Sequence, residues 1–353
     1  MKIAFILSQV VPSGPFIVAK DLIEVMILQG HQIDIFYLHG EIRQSYPVAP
    51  KRIKYWSLVD FSCYDIVHSH GFRADVYVHF HQQRIAKTSK AKTLSTLHQY
   101  NSIQIPFDYS QKWKMLLVEA LWKRSLQSKD HIAALTKHMA SYYQKYLGIS
   151  RISVVHNGRS LPAIMDPCDP QLLSQIQTAK KKYRVIGAAG LLTPRKGFDQ
   201  IIRLLAQQEN LFAVILGDGD ERQNLLDQAS SLGVSDRLLL CGFRPNPTAY
   251  YPHFDVFVFP SHAEGFSLVI TEAAACGIPV VCSKLPFLEE SYSEDEIPRF
   301  EVNDLAGLKR ALDQILRDPE MYAQRAHAKY SKHFTREAMV ERYLSLYAKI
   351  KGN

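Results

Sequence analysis

Short apolar runs alternate with amphipathic stretches along this chain, in two successive series. The first series comprises Lys2–Leu7, Ile33–Leu38, Asp65–His68, Thr93–Leu97, His131–Leu135 and Ile152–Val155. The second comprises Arg184–Gly190, Phe212–Leu216, Arg237–Cys241, Asp255–Phe259 and Ile278–Cys282. Several of these runs are apolar throughout, as in strands buried on both faces. The helical stretches between them supply the crossovers of a parallel sheet. Two α/β halves are therefore expected, each with its ligand loops at the carboxyl ends of its strands.

The most informative loop follows Asp255–Phe259. It runs from Ser261 through Glu264-Gly265-Phe266-Ser267 into a helix that ends at Gly277. Ser267 is the expected N-cap and Gly277 the expected helix-ending glycine. The free N–H groups of Gly265, Phe266 and Ser267 make an anion site strengthened by the helix dipole. Glu264 in the loop and Glu272 inside the helix suit hydroxyl groups on either side of that anion. An anion flanked by polyols is the outline of a nucleotide diphosphate sugar. Either glutamate alone reads equally well as a helix former or a dipole partner.

The charge balance and cysteines narrow the setting. Five scattered cysteines, with no C-x-x-C pair, argue for reduced thiols in a cytoplasm and against a disulfide frame or zinc site. The first seven residues read as a strand, not a signal sequence, and no run reaches the ~18 apolar residues of a membrane span. The net charge is +8, and between Arg84 and Lys145 eleven Lys/Arg stand against three Asp/Glu. Such a segment suits an anionic partner. No nucleic-acid motif accompanies it, so no nucleic-acid partner is expected. Residues 111–129 place Trp113, Leu116, Leu117, Ala120 and Leu121 on one helical stripe, flanked by Lys112, Lys114, Lys123 and Arg124. Periodicity alone favours a core helix with solvated lysines. Tryptophans beside basic residues turn the expectation toward an anionic membrane surface.

The Ser261–Gly277 stretch resembles the E-x7-E motif of retaining glycosyltransferases of family 4. Pro260-Ser261, Glu264-Gly265-Phe266, Glu272-Ala273 and Cys276-Gly277-Ile278-Pro279-Val280-Val281 all match. The resemblance covers nearly the whole chain and is weaker in the first half, at Asp65–Gly71 and Val154–Gly158. It implies the GT-B arrangement, an α/β fold of two Rossmann-like domains facing a cleft, with the last helix crossing back to the first domain. Residues 1–160, joined by 335–353, are then the acceptor domain. Residues 161–182, with Pro162, Pro167 and Pro170 and then a short helical piece ending in Lys180-Lys181-Lys182, are the linker, and 183–334 the nucleotide-sugar domain.

The resemblance also assigns residues. It places Lys196 on the donor diphosphate with Arg195 as a helper, Glu272 on the ribose and Glu264 on the transferred sugar. His98 lies near the donor sugar, Gly14, in the turn after the first strand, lets the phosphate approach the acceptor domain, and Gly242-Phe243-Arg244 lies by the base. Leu191 departs from the family, which has arginine there, so one phosphate cation is missing unless Arg195 or Arg244 substitutes. Asp218-Gly219-Asp220 has the form of a metal-binding D-x-D, but its place between a strand and a helix favours a capping turn. No metal and no cofactor beyond the donor are expected.

The reaction implied is transfer of a hexose, with retention, from an NDP-sugar to a saccharide or lipid-linked saccharide in cell-surface polysaccharide or lipopolysaccharide synthesis. The site would be cytoplasmic, with a peripheral hold on the inner membrane face. A nucleotide-sugar epimerase and a non-catalytic nucleotide-sugar-binding protein remain open on the residues alone.

Overall fold

The computed structural model describes residues 1–101, 111–161 and 168–352, without the side chains of Gln83, Ala86 and Thr88. Asp108 of the basic segment and Pro162 and Pro167 of the expected linker lie outside the described residues. The chain divides into two compact units, Met1–Arg159 with Phe334–Asn353, and Ser160–His333.

The first unit holds seven parallel strands: β1 (Lys2–Gln9), β2 (Gln32–His39), β3 (Lys51–Arg52), β4 (Ile66–His70), β5 (Lys92–Leu97), β6 (His131–Ala134) and β7 (Ile152–Val154). Their order is β3-β2-β1-β4-β5-β6-β7. The central strands β1 and β4 are buried nearly end to end, which is why they read as unbroken apolar runs. Strand order reverses between β1 and β4, so the switch-point crevice opens beyond Gln9 and His70.

The helix Arg336–Gly352 belongs to this unit and buries Met339, Val340, Tyr343, Leu346, Tyr347 and Ile350. The chain enters it at close quarters. A Cβ on Gly158 would stand 1.9 Å from the Thr335 carbonyl oxygen, so only glycine fits there. Arg159 N–H donates to Phe334 O, and its guanidinium forks onto both oxygens of Asp21 at 3.0 and 2.9 Å. Inside, Tyr347 and Tyr343 hydroxyls reach His68 Nδ1 and Thr96 Oγ1 at 2.7 and 2.8 Å.

The second unit has six parallel strands: β8 (Arg184–Ala189), β9 (Leu211–Leu216), β10 (Leu238–Leu240), β11 (Val256–Phe259), β12 (Val280–Ser283) and β13 (Arg299–Phe300). Their order, β10-β9-β8-β11-β12-β13, reverses between β8 and β11. One face of its sheet carries a core that runs from Ile186 and Ile215 to Leu308 and Ile315 of the helix Leu305–Arg317.

Three expectations are corrected. Residues 170–180 are not linker: Pro170–Lys180 is a helix of the second unit, capped by Asp169 and burying Leu172, Ile176 and Ala179. Its apolar residues recur at helical spacing, and that burial outweighs the proline-rich look of its start. Gly14 is not a turn glycine. It opens the helix Gly14–Leu28, its φ is not positive, and a Cβ there would meet nothing within 4 Å. Lys129, counted in the basic segment, is 1% exposed and donates to Asp75 O and Ser125 O at 2.9 and 2.8 Å. Burial lowers its pKa to about 8, with Asp75 opposing the shift.

Asp75 itself is buried among Ser69 Oγ, Ser95 Oγ and the Trp122 indole N–H, at 2.7, 2.6 and 3.1 Å. These bonds tie the helix Lys112–Gln127 to the unit through Trp122 and the fully buried Leu126. The stripe expected on that helix therefore faces away from the core. Trp113, Leu116 and Leu117 are 62, 67 and 62% exposed.

Candidate active site

The switch point of the second unit brings together two loops that the sequence singled out. β8 and β11 are neighbours, so the loop after Ala189 and the loop after Phe259 leave the sheet side by side. The first loop tightens into a 3-10 turn, Pro194–Lys196, and reverses at Gly197 with φ 64°. A Cβ on Gly197 would lie 2.2 Å from Pro260 O, which fixes the residue type. Backbone bonds lock the loops: His262 N–H donates to Arg195 O at 2.8 Å. Gln200 Nε2 donates to Pro260 O at 2.7 Å, while its Oε1 accepts from Asn303 N–H.

Across this seam Glu264 collects the two cations. Its Oε1 lies 2.7 Å from Lys196 Nζ and 2.8 Å from Arg195 Nη1, and accepts from Ser261 Oγ at 2.9 Å. All three charged side chains are largely buried. Burial works to raise the Glu264 pKa, but Lys196 and Arg195 overcome it and hold the carboxyl below its ordinary value. Arg195 is further pinned to Ala263 O at 2.7 Å. Two cations against one carboxylate leave an excess positive charge beside the start of the next helix.

That helix is Leu268–Ala275. Ser267 caps it, its Oγ accepting from Ile270 N–H, and Gly277 follows it in the left-handed region at φ 67°. Gly265, Phe266 and Ser267 are buried, and Phe266 packs on Phe287 with ring centroids 5.9 Å apart. Glu272 lies inside the helix and is 8% exposed. Burial and the nearby Glu272 charge push the Cys276 thiol up to about 12.

The remaining residues of this unit are spread along the same sheet end. Gly242 follows β10 at φ 71° and accepts from Gly217 N–H at 2.9 Å, with Phe243 projecting into solvent. Leu191 is exposed after β8. Arg195 is committed to Glu264, and Arg244 lies 3.7 Å from Asp169, on a pocket lined also by Gln171, Gln175 and Cys241.

The Asp218-Gly219-Asp220 turn differs from expectation. Asp218 accepts from Gly219 N–H, while Glu221, at the N-cap of Arg222–Ser231, makes no side-chain cap bond. Glu221 instead accepts from Asn224. The sharp turn follows from backbone packing: a Cβ on Gly219 would lie 2.4 Å from Leu192 O. Among the described residues no group of three or more His, Cys, Asp or Glu is placed to hold a metal.

In the first unit Gly14 opens a helix beyond β1, and His98 follows β5. His98 Nε2 lies 3.0 Å from Nδ1 of His70, the last residue of β4. Burial lowers the His98 pKa to about 3 and His70 well below the ordinary imidazole value, His68 and His98 adding to the latter. Sequence reasoning missed His70, Gln200 and the role of Glu264 as counter-ion. Only His70 left a trace, as one of two histidines two apart at a strand end.

Residues 171–332 match the family model described as Glycosyl transferases group 1, and residues 12–161 match Glycosyltransferase Family 4. The chain is 26% identical over 362 residues to the O-antigen biosynthesis glycosyltransferase WclY of Escherichia coli, covering 98% of each. It is 33% identical over 168 residues to the lipopolysaccharide core biosynthesis glycosyltransferase LpsE of Rhizobium meliloti, covering 46% of this chain and 49% of the other. In fold it is similar to Anabaena Alr3699/HepE, solved in complex with UDP. That likeness has a TM-score of 0.80 at 18% identity, and spans 99% of this chain and 100% of the other.

Proposed function

We propose, from the premise that this chain belongs to the glycosyltransferases of the GT-B class, that it moves a hexose with retention from a nucleoside diphosphate sugar to a saccharide acceptor. The observation that carries the reading is the buried Arg195–Glu264–Lys196 cluster beside the capped start of Leu268–Ala275. Fixed cations and helix N–H groups stabilise the charge that grows on a departing diphosphate. Glu264 holds those cations in place and offers its carboxylate to the sugar hydroxyls. Glu272 takes the ribose diol. Gly14, where the fold itself leaves open space, admits the phosphate, and Gly242 and Phe243 flank the base.

The bond between the anomeric carbon and the diphosphate oxygen breaks as the acceptor oxygen bonds the same face. The acceptor's proton passes to the departing phosphate oxygen. No side-chain nucleophile is required, and the stabilising cations are protein groups, so no metal is needed.

The acceptor belongs to O-antigen or lipopolysaccharide synthesis on this reading, which the printed functions of the E. coli and R. meliloti relatives support. Trp113, Leu116 and Leu117 stand exposed among Lys112, Lys114 and Arg124, with Lys114 Nζ 5.4 Å above the Trp113 ring. Such a face suits the headgroup layer of an anionic membrane where a lipid-linked acceptor resides. Among the described residues no helix is long and apolar enough to cross a membrane.

Thermal shift against UDP-, GDP-, ADP- and dTDP-sugars tests the donor class, since a ligand at 100 times its dissociation constant adds ~2.7 kcal/mol. Anomeric analysis of the product then tests retention. Stabilisation by no nucleotide sugar, or an inverted product, would overturn the reading.

A further inference from the structure

We propose that His70 is a positioning residue that fixes the His98 imidazole in its Nδ1–H tautomer, making His98 a neutral hydrogen-bond donor to the donor sugar. The sugar half of this rests on the proposed transfer reaction together with the family resemblance, which places His98 near the donor sugar. The tautomer half rests on geometry alone.

His70 ends β4 and His98 follows β5, neighbours in register with His70 opposite Thr96. The His70 ring is 100% enclosed by its position: it stacks on Phe5 at 5.8 Å and lies 4.3 Å from the His68 ring. Its backbone is held as well, since Ser8 Oγ donates to His70 O at 3.3 Å. The next residue, Gly71, has φ 90°, and a Cβ there would sit 2.7 Å from Ser8 Oγ. His70 therefore offers His98 a fixed ring nitrogen.

One hydrogen bond, His70 Nδ1 to His98 Nε2 at 3.0 Å, joins two rings that are both kept neutral. Each neutral ring has a single N–H, so only two arrangements exist. If His98 Nε2–H donated, the His70 proton would sit on Nε2. That atom is buried and has no partner among the described residues. A buried N–H without an acceptor is the rarer of the two orphans in folded proteins. The favoured arrangement has His70 Nδ1–H donating to His98 Nε2. The proton of His98 is then on Nδ1, the one ring nitrogen it has left to present at the carboxyl end of β5.

Nothing in this device transfers a proton. A neutral ring of this kind orients a sugar hydroxyl through one directed donor, over a pH range in which an ordinary histidine changes charge.

Long-range ¹H–¹⁵N NMR of the imidazoles in the full chain tests the tautomer, with His98→Gln assigning the signal. The expected spectrum shows His98 protonated at Nδ1 and bare at Nε2 from pH 6 to 8. His70→Phe keeps the ring packing but removes the bond. It should release His98 to the Nε2–H form and lower kcat/KM about tenfold. His70→Asn restores a donor near the Nδ1 position and should keep both the tautomer and most of the activity.

Wild-type His98 protonated at Nε2, or an unchanged tautomer in His70→Phe, would overturn the lock. Equal losses in the Phe and Asn variants would also overturn it, as a packing role predicts. The wild-type spectrum decides the question even if a variant fails to fold. Full turnover in His98→Gln would overturn the sugar half alone and return His98 to a structural role.

Discussion

The Lys196 ammonium lies 2.7 Å from Oε1 of Glu264, a residue 68 positions away on the neighbouring strand's loop. One carboxylate thus keeps two cations together at a sheet end, where they would otherwise repel. On the proposed function, the pair meets the donor's diphosphate. Lys196→Ala should lower transfer by about 10²-fold or more, the scale of losing one charge-stabilising group. Turnover near wild type would take Lys196 out of the site.

Glu264→Gln leaves Arg195 and Lys196 facing each other without their counter-ion. The variant should melt lower than wild type, and pyrophosphate should raise its melting temperature more than it raises the wild type's. Equal responses in both proteins would show that the cluster does not meet the diphosphate.

Glu272 is buried in a short helix whose start is the proposed phosphate site. Glu272→Ala should cost transfer about 10²-fold while donor affinity falls. Activity should also survive EDTA, because the stabilising cations are side chains. Loss in EDTA with recovery by Mn²⁺ or Mg²⁺ would assign Asp218 and Asp220 a metal-binding role.

Stability should fall in mild acid. Burial depresses His68 and His98 to about 3 and holds His70 well below its ordinary value, against an unfolded value near 6.5. Below pH 6.5 the unfolded chain binds protons that the folded unit refuses. The stability these neutral rings contribute is present above pH 6.5 and drains away toward pH 3, at about 1.4 kcal/mol per pH unit for each ring. Urea unfolding between pH 7 and 5 reads the slope, and His68→Asn should make it shallower by one proton. An identical slope in the variant would sink the assignment.

The exposed face of Lys112–Gln127 should bind anionic vesicles at low salt and release them at high salt. Changing Lys112, Lys114, Lys123 and Arg124 together to glutamine should abolish sedimentation while leaving donor binding intact. Binding that survives the fourfold change would place the membrane contact elsewhere, and no binding at any salt would end the idea.

Which of these features the sequence disclosed depends on how far apart the partners lie. Buried strands, the Ser267 cap and the Gly277 stop are local, and their patterns were readable without a structure. The edge strands β3 and β13, two residues each, carry no periodicity to read. Lys129 looked like a surface charge because its partner carbonyl belongs to Asp75, 54 residues earlier. Glu264 looked like a sugar ligand, and its ion pairs depend on which strands adjoin. The stripe on Lys112–Gln127 fixed which residues share a face, but not whether that face turns inward.

The helix Arg336–Gly352 closes a unit whose other elements all lie within Met1–Arg159. The sheet of the second unit, by contrast, comes from one uninterrupted stretch and needs nothing made after it. During translation the second unit can be native while the first still lacks the tyrosines that meet His68 and Thr96. Until Arg336–Gly352 docks, His68 Nδ1 and Thr96 Oγ1 lack their tyrosine partners inside the first unit. The segment Phe334–Asn353 ends that state by bringing Tyr343 and Tyr347 to them.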